Sequence, residues 1–254
     1  MVSRELGWSE SKLSRIETAR TGIRDADLDR LLAAIEAPTE DRLRLRELAR
    51  RGRARVWWTP YRSSLTEPYD EYVALEAEAT VLQEWESQVV PGLLQTDEYA
   101  WAVIEAGADR ADPEVVEIRV RLRMTRQDVL ARDDPPQLCV VLDEAVLRRE
   151  VGGRAAMRRQ LQRLLVACDR PGVELQVLPF TAGVHGALAG SFLIVEFGGD
   201  RQSIAYSEGL TGGVFRHRES DLAIYRKAFV DLRNRSLSPE ASRALIARTS
   251  DSLD

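Results

Sequence analysis

Only two cysteines (Cys139, Cys168), two histidines (His185, His217) and two lysines (Lys12, Lys227) occur in the 254 residues, and each scarcity removes a class of function. Two separated thiols cannot build the framework of bridges that small secreted domains need, and no charged-then-apolar leader opens the chain, so a reducing cytoplasm is the expected compartment. Both thiols sit in apolar runs and read as small core residues. Neither C-x-x-C nor H-E-x-x-H occurs, so no metal and no other cofactor is expected. No G-x-S-x-G elbow marks a serine nucleophile, and no catalytic residue is assigned. No apolar run approaches the ~18 residues of a membrane-spanning helix, so no membrane partner is expected.

What the chain does have is charge, unevenly spread. Through Arg55 there are 13 Lys+Arg against 10 Asp+Glu, whereas the remainder holds 23 against 31. A basic end on an acidic body suits a protein that meets a polyanion at one end only, although an arginine-rich solvated face would look the same.

The periodicity predicts an α+β protein with an all-helical N-terminal domain (1–55), a linker rich in proline and serine (56–68) and a mixed α+β body (69–254). In the first domain, Ser9 caps a short helix carrying Leu13 and Ile16. Leu28, Leu31, Leu32 and Ile35 follow helical spacing up to Pro38, and a third helix runs from about Thr39 into the arginines at 50, 51, 53 and 55. In the body, Tyr72, Leu75, Ala79 and Leu82 predict a helix ending near Glu86. Residues 89–94 read as a short strand or turn, and Thr96 caps a helix to Ala106. Pro113 opens a long helix through Ile118, Leu122 and Val129. Leu138–Leu142 is a buried strand, Met157 to Cys168 a helical stripe, and Val173, Leu175 and Val177 a period-2 strand. Two strands follow, Phe192–Phe197 and Ile204–Tyr206, and two helices close the chain, the second started by Ser238-Pro239.

Leu6-Gly7-Trp8-Ser9-Glu10-Ser11-Lys12-Leu13-Ser14-Arg15-Ile16-Glu17 is the most specific segment. A Leu-Gly helix end, a serine cap, polar side chains in the first turn and then a buried Leu and Ile make the layout of a recognition helix, whose first turn enters the major groove. Ser9, Ser11, Lys12 and Arg15 would face duplex DNA, and Arg20 and Thr21 would bind phosphate. A capped surface helix with nothing in front of it has the same pattern.

Ser9 to Ile23, centred on Leu13-Ser14-Arg15-Ile16-Glu17, resembles the helix-turn-helix of the Cro/repressor, or xenobiotic-response-element (XRE), regulators. The body is similar to the C-terminal domain attached to that motif in antitoxin-like regulators of actinomycetes. The segments that carry this likeness are Leu75-Glu76-Ala77-Glu78-Ala79, Val90-Pro91-Gly92-Leu93-Leu94-Gln95-Thr96, Val141-Leu142-Asp143-Glu144-Ala145, Gln176-Val177-Leu178-Pro179-Phe180 and Glu208-Gly209-Leu210-Thr211-Gly212-Gly213. The resemblance implies a DNA-binding transcriptional regulator, often encoded beside a small partner protein, that binds operators as a homodimer. Members of that family have a full first helix before the Leu-Gly pair, and only Met1 to Glu5 precede it here. Weak DNA binding by the chain as it stands is the expectation.

The second informative region, Pro179 to Gly190, places three glycines and His185 between two strands, where a loop can approach a ligand closely. The junction tryptophans suggest a pocket for a small-molecule effector, lined by Trp57, Trp58, Trp85, Gln95, His185 and Glu208 and closed by that loop. Each residue also has a plain reading, with buried tryptophans and a loop imidazole satisfied by its own backbone. Asp143-Glu144 at a strand end is a helix cap before it is a carboxylate pair. His217, between Arg216 and Arg218, reads as a solvated surface residue. The alternative to a regulator is an enzyme or small-molecule binder on the same scaffold, with a degenerate helix-turn-helix.

Overall fold

In a computed structural model of the chain, the described residues are 6–9, 12, 16, 23, 25–35, 37–38, 41–42 and 45, then 69–107, 112–210 and 212–253. The chain divides into two units, Met1–Pro60 and Tyr61–Asp254.

In the first unit, α1 (Asp25–Ala34) buries Leu28 and Leu32 with Ala37 against Ile23. Ile35, expected on the same stripe, is half exposed at 50%, because the helix ends at Ala34 and the next residue turns away toward Ala37. The Arg30 guanidinium donates to the Leu6 carbonyl at 2.6 Å and ties this helix to the preceding segment. Leu13 and most of the expected third helix lie outside the described residues.

The second unit is built on one six-stranded sheet of order β3-β2-β1-β4-β5-β6. Its strands are β1 (Val81–Glu86), β2 (Gln137–Asp143), β3 (Val173–Leu178), β4 (Phe192–Glu196), β5 (Ile204–Gly209) and β6 (Gly212–Arg216). β1, β2 and β3 are parallel and joined by helices, whereas β4, β5 and β6 run antiparallel. The helices are α2 (Tyr69–Glu78), α3 (Asp97–Glu105), α4 (Pro113–Arg126), α5 (Glu144–Arg148), α6 (Arg154–Cys168), α7 (Glu219–Arg235) and α8 (Pro239–Asp251). Both faces of the sheet are covered. Leu82, Leu138, Val140, Leu142, Leu193 and Val195 pack with Met157, Leu161 and Leu164 of α6 and Ile246 of α8 on one face. Trp85, Val141, Leu178 and Ile194 meet Phe229 and Leu232 of α7 on the other.

Local chemistry explains the element ends. Thr96 caps α3 by accepting the Tyr99 amide, Pro113 stands at the start of α4 behind the Asp112 cap, and Ser238 caps α8. Asp143 caps α5 through the Ala145 amide at 2.8 Å. Two elements differ from the sequence expectation, and the open choice between strand and turn at 89–94 resolves to a turn. The helix predicted to run to Glu86 ends at Glu78, and β1 follows. A strand buried on both faces loses its period-2 signature, so Ala79 and Leu82 could be read onto the helical stripe. Residues 92–94 form a turn of 3-10 helix. β6 escapes notice in the sequence because it is a short edge strand that begins on two glycines.

Candidate functional site

A cavity of about 390 Å³ opens beside the carboxyl end of β1. On one side β1 connects to its parallel neighbour β2, and on the other it meets antiparallel β4, the kind of switch point where open sheets leave a crevice. Alternation along the strands sends Glu84 and Glu86 of β1, Leu193 of β4 and Tyr206 and Glu208 of β5 to this face. The register sets Glu84 beside Leu193 and Leu193 beside Tyr206. Tyr69 and Tyr72 come from α2, Val103 and Ile104 from α3, and Arg119, Leu122, Arg123 and Arg126 from α4.

The segment 90–96 forms the rim and is held by side chains that consume its backbone groups. Tyr99 accepts the Val90 amide at 3.1 Å, and Gln95, only 2% exposed, donates to the Val90 carbonyl at 2.7 Å. Gln160 accepts the Thr96 amide at 2.7 Å and donates to the Leu94 carbonyl at 2.8 Å, and Gln127 donates to the Gly92 and Gln95 carbonyls. The Gln95 amide oxygen accepts from Arg123 at 3.0 Å, which orients that guanidinium along the cavity wall.

Behind the wall lies a buried ion pair. Arg126 donates from Nε and Nη2 to both oxygens of Glu76, at 2.9 and 2.6 Å, and both side chains are 3% exposed. It also donates to the Tyr69 hydroxyl and lies over the Tyr72 ring, 4.8 Å from its centroid. Tyr72 in turn packs on Tyr206 with ring centroids 4.8 Å apart. A Cβ on Gly213 would fall 2.2 Å from the Tyr206 ring, so only glycine lets that ring lie across β6.

Glu84 has no such partner. Its side chain lines the cavity with the residue 6% exposed, and it makes no hydrogen bond or ion pair among the described residues. Burial, with the charges of Glu86 and Glu76 beside it, pushes its carboxyl well above the ordinary range, against the pull of Arg126. Burial also lifts Glu86 to about 7, with the Glu208 charge adding to the rise and the Ser191 hydroxyl and Arg123 opposing it. The Arg123 Nε is buried without an acceptor among the described residues.

The residues predicted to share one pocket are separated by the sheet. Gln95 and Glu208 line the cavity. Trp85, fully buried, points to the opposite face, where His185 meets it edge-on at 5.2 Å between ring centroids. The His185 Nδ1 accepts the Ala187 amide at 3.3 Å, and Ala187 is buried against that second core. The loop 183–190 therefore covers the α7 side of the sheet, and the expectation that it closes the pocket is corrected. Its large exposed apolar side chains are Val184 and Leu188. Trp57 and Trp58 lie outside the described residues. Glu84, Glu86 and the arginines of α4 were missed. A carboxylate at every second position of Gln83-Glu84-Trp85-Glu86 is the signal that a strand assignment there would have exposed.

In the first unit, Ser9 is exposed and its hydroxyl accepts the Lys12 amide at 3.2 Å, as a cap does. Lys12 pairs with Asp27 at 2.8 Å and its ammonium lies 4.1 Å from the Trp8 ring centroid. Ser11, Arg15, Arg20 and Thr21 lie outside the described residues.

Among the described residues no helix is long and apolar enough to cross a membrane. No curated protein and no solved structure matches the chain. Residues 1–45 match a helix-turn-helix domain, which supports a DNA-binding regulator. Residues 69–248 match a domain of unknown function (DUF5753). This second match spans more than half of the chain, which therefore belongs to the DUF5753 family.

Proposed function

We propose that the protein is a transcriptional regulator of the XRE type, antitoxin-like, in which the helix-turn-helix binds duplex DNA and the body senses a small-molecule effector in the β1 cavity. The observation that carries this reading is the pairing of a helix-turn-helix match with a body whose cavity holds a buried carboxyl, Glu84, without a side-chain partner among the described residues. A concave site of this size where charged and polar side chains converge beside apolar ones is of the kind that small molecules occupy. Ser9, Ser11, Lys12 and Arg15 are the proposed DNA-facing residues, with Arg20 and Thr21 on phosphate. Lys12 would exchange Asp27 for a phosphate, a change that costs little because exposed ion pairs contribute only about 0–1 kcal/mol. A homodimer reading two half-sites, a cytoplasmic location and a small protein partner complete the proposal.

A second reading has one observation in its favour. A carboxyl poised near 7 in a cleft, as Glu86 is, suits a general acid or base, and an enzyme on this scaffold would use it. Selection of bound fragments from genomic DNA, followed by anisotropy titration of the full chain, tests the primary reading. Saturable, sequence-selective binding supports it. Product analysis of any small molecule found in the cavity separates the two, since chemical conversion lost in Glu86→Gln would favour the enzyme.

A further inference from the structure

Four features of the cavity point to one kind of ligand. Glu84 is a carboxylate more than nine-tenths buried, aimed into the space and accepting nothing. Glu86 lies two residues on along the same face, and Glu208 joins it from β5. With Arg126 committed to Glu76, three carboxyl groups face two guanidiniums, Arg119 and Arg123, so the lining turns negative once all three ionise. Tyr72, whose ring already carries Arg126, and Tyr206 form an aromatic floor beside Glu84 for the apolar part of a ligand. A bare metal ion is a poor candidate, because among the described residues no three carboxylate, histidine or cysteine side chains converge to hold one. The carboxylates are spread as donors on an extended molecule would need.

We propose that the cavity takes a small organic molecule bearing a protonated amine, its ammonium group against Glu84 and Glu86 and a polar acceptor toward Arg123. The inference rests on the reading of the cavity as the effector site. Arg123 contributes because its guanidinium lines the cavity and is oriented there by the bond from Nη1 to Gln95. The volume of about 390 Å³ limits the ligand to metabolite size.

The charge state of the wall makes the ligand class measurable. Glu84 is faced by Tyr72 and Glu76 of α2, Arg126 of α4 and Glu86 of its own strand, and Glu86 by Ser191, Glu208 and Arg123. Burial holds Glu86 near 7 in the empty cavity. An ammonium group favours the ionised wall, so its binding expels a proton, and affinity rises about tenfold from pH 6 to pH 8 for one proton released.

The experiment is calorimetry on the full chain with a matched trio of probes, 2-phenylethylamine, 3-phenylpropionate and 2-phenylethanol, together with 1,4-diaminobutane, at pH 6 and pH 8. The amines should bind at least tenfold more tightly than the acid and the alcohol at pH 8, with heats that differ between buffers because a proton is released. Glu84→Gln should weaken amine binding at least tenfold, and Glu86→Gln should reduce the pH dependence to the part that Glu84 contributes. Glu208→Gln serves if Glu84→Gln does not fold. Val103→Phe, which fills the cavity from α3, should abolish binding. Tighter binding of the acid or the alcohol, blocked by Val103→Phe, overturns the amine inference and leaves the effector site standing. Amine binding that survives Val103→Phe, or no binding by any probe, overturns it as well. The effector reading itself falls separately, if a metabolite extract leaves DNA affinity unchanged.

Discussion

Removing the Glu76 charge by Glu76→Gln should leave Arg126 buried, charged and held only by Tyr69. Both partners of the pair are 3% exposed and joined by two hydrogen bonds, so the substitution breaks a desolvated ion pair and leaves one charge behind. Such losses cost about 3–5 kcal/mol, far more than an exposed pair contributes. For a body of this size that corresponds to a fall in Tm of roughly 6–20 °C. The deficit should also depend on pH, because Glu84 can act as a substitute. In the wild type its carboxyl stands high, raised by burial, Glu86 and Glu76 and lowered by Arg126. Without the Glu76 charge one raising influence is gone and Arg126 is unpaired, so Glu84 ionises at lower pH and moves into the partnership. The stability difference between wild type and variant, followed by urea denaturation at pH 6 and pH 8, should therefore shrink at the higher pH. In the Glu76→Gln, Glu84→Gln double variant that recovery should vanish. A loss below about 1 kcal/mol, or a deficit that grows with pH, would refute the account of the buried wall.

Four further outcomes are expected. Because Glu86 rises from 4.5 to about 7 in the folded state, its contribution is fully present below about pH 4.5 and is lost as pH rises through 7. That corresponds to about 1–2 kcal/mol once its partial exposure is allowed for, and Glu86→Gln should flatten this slope in denaturation between pH 5 and pH 8. Gln160→Leu should cost about 2–4 kcal/mol by leaving the Thr96 amide and the Leu94 carbonyl unpaired, read as a lower urea midpoint, since Gln160 is fully buried between them. Arg15→Ala should cost about 1–3 kcal/mol of DNA affinity and relax specificity at one position. Lys12→Ala should weaken all sequences alike and reduce the salt slope by about one, both measured by anisotropy titration.

Much of the architecture was readable in the amino-acid order because caps and periodicity agree there. Thr96, Pro113 and Ser238 each announce a helix, and the alternation of Val173, Leu175 and Val177 announces β3. The helix-turn-helix was readable for the same reason, since a serine cap followed by polar and then apolar positions is a local pattern. β1 was not, because a strand at the middle of a two-sided sheet owes its state to neighbours distant in sequence. Losing β1 concealed the cavity, whose acidic wall depends on the alternation of Glu84 and Glu86. Gln95 and Glu208 line the cavity, whereas Trp85 and His185, expected beside them, lie on the other face of the sheet, since the side that a residue faces follows from register alone.

The central claim is that the cavity and DNA binding are coupled. Its most direct measurement is the affinity of the full chain for a selected DNA fragment, by anisotropy, with and without the fraction of a cell extract below about 1 kDa, for wild type and Val103→Phe side by side. The account predicts that the extract changes wild-type affinity at least fivefold, the lower end of typical coupling between sites, and leaves Val103→Phe unaffected. An equal response in both proteins, or none in the wild type, would contradict it.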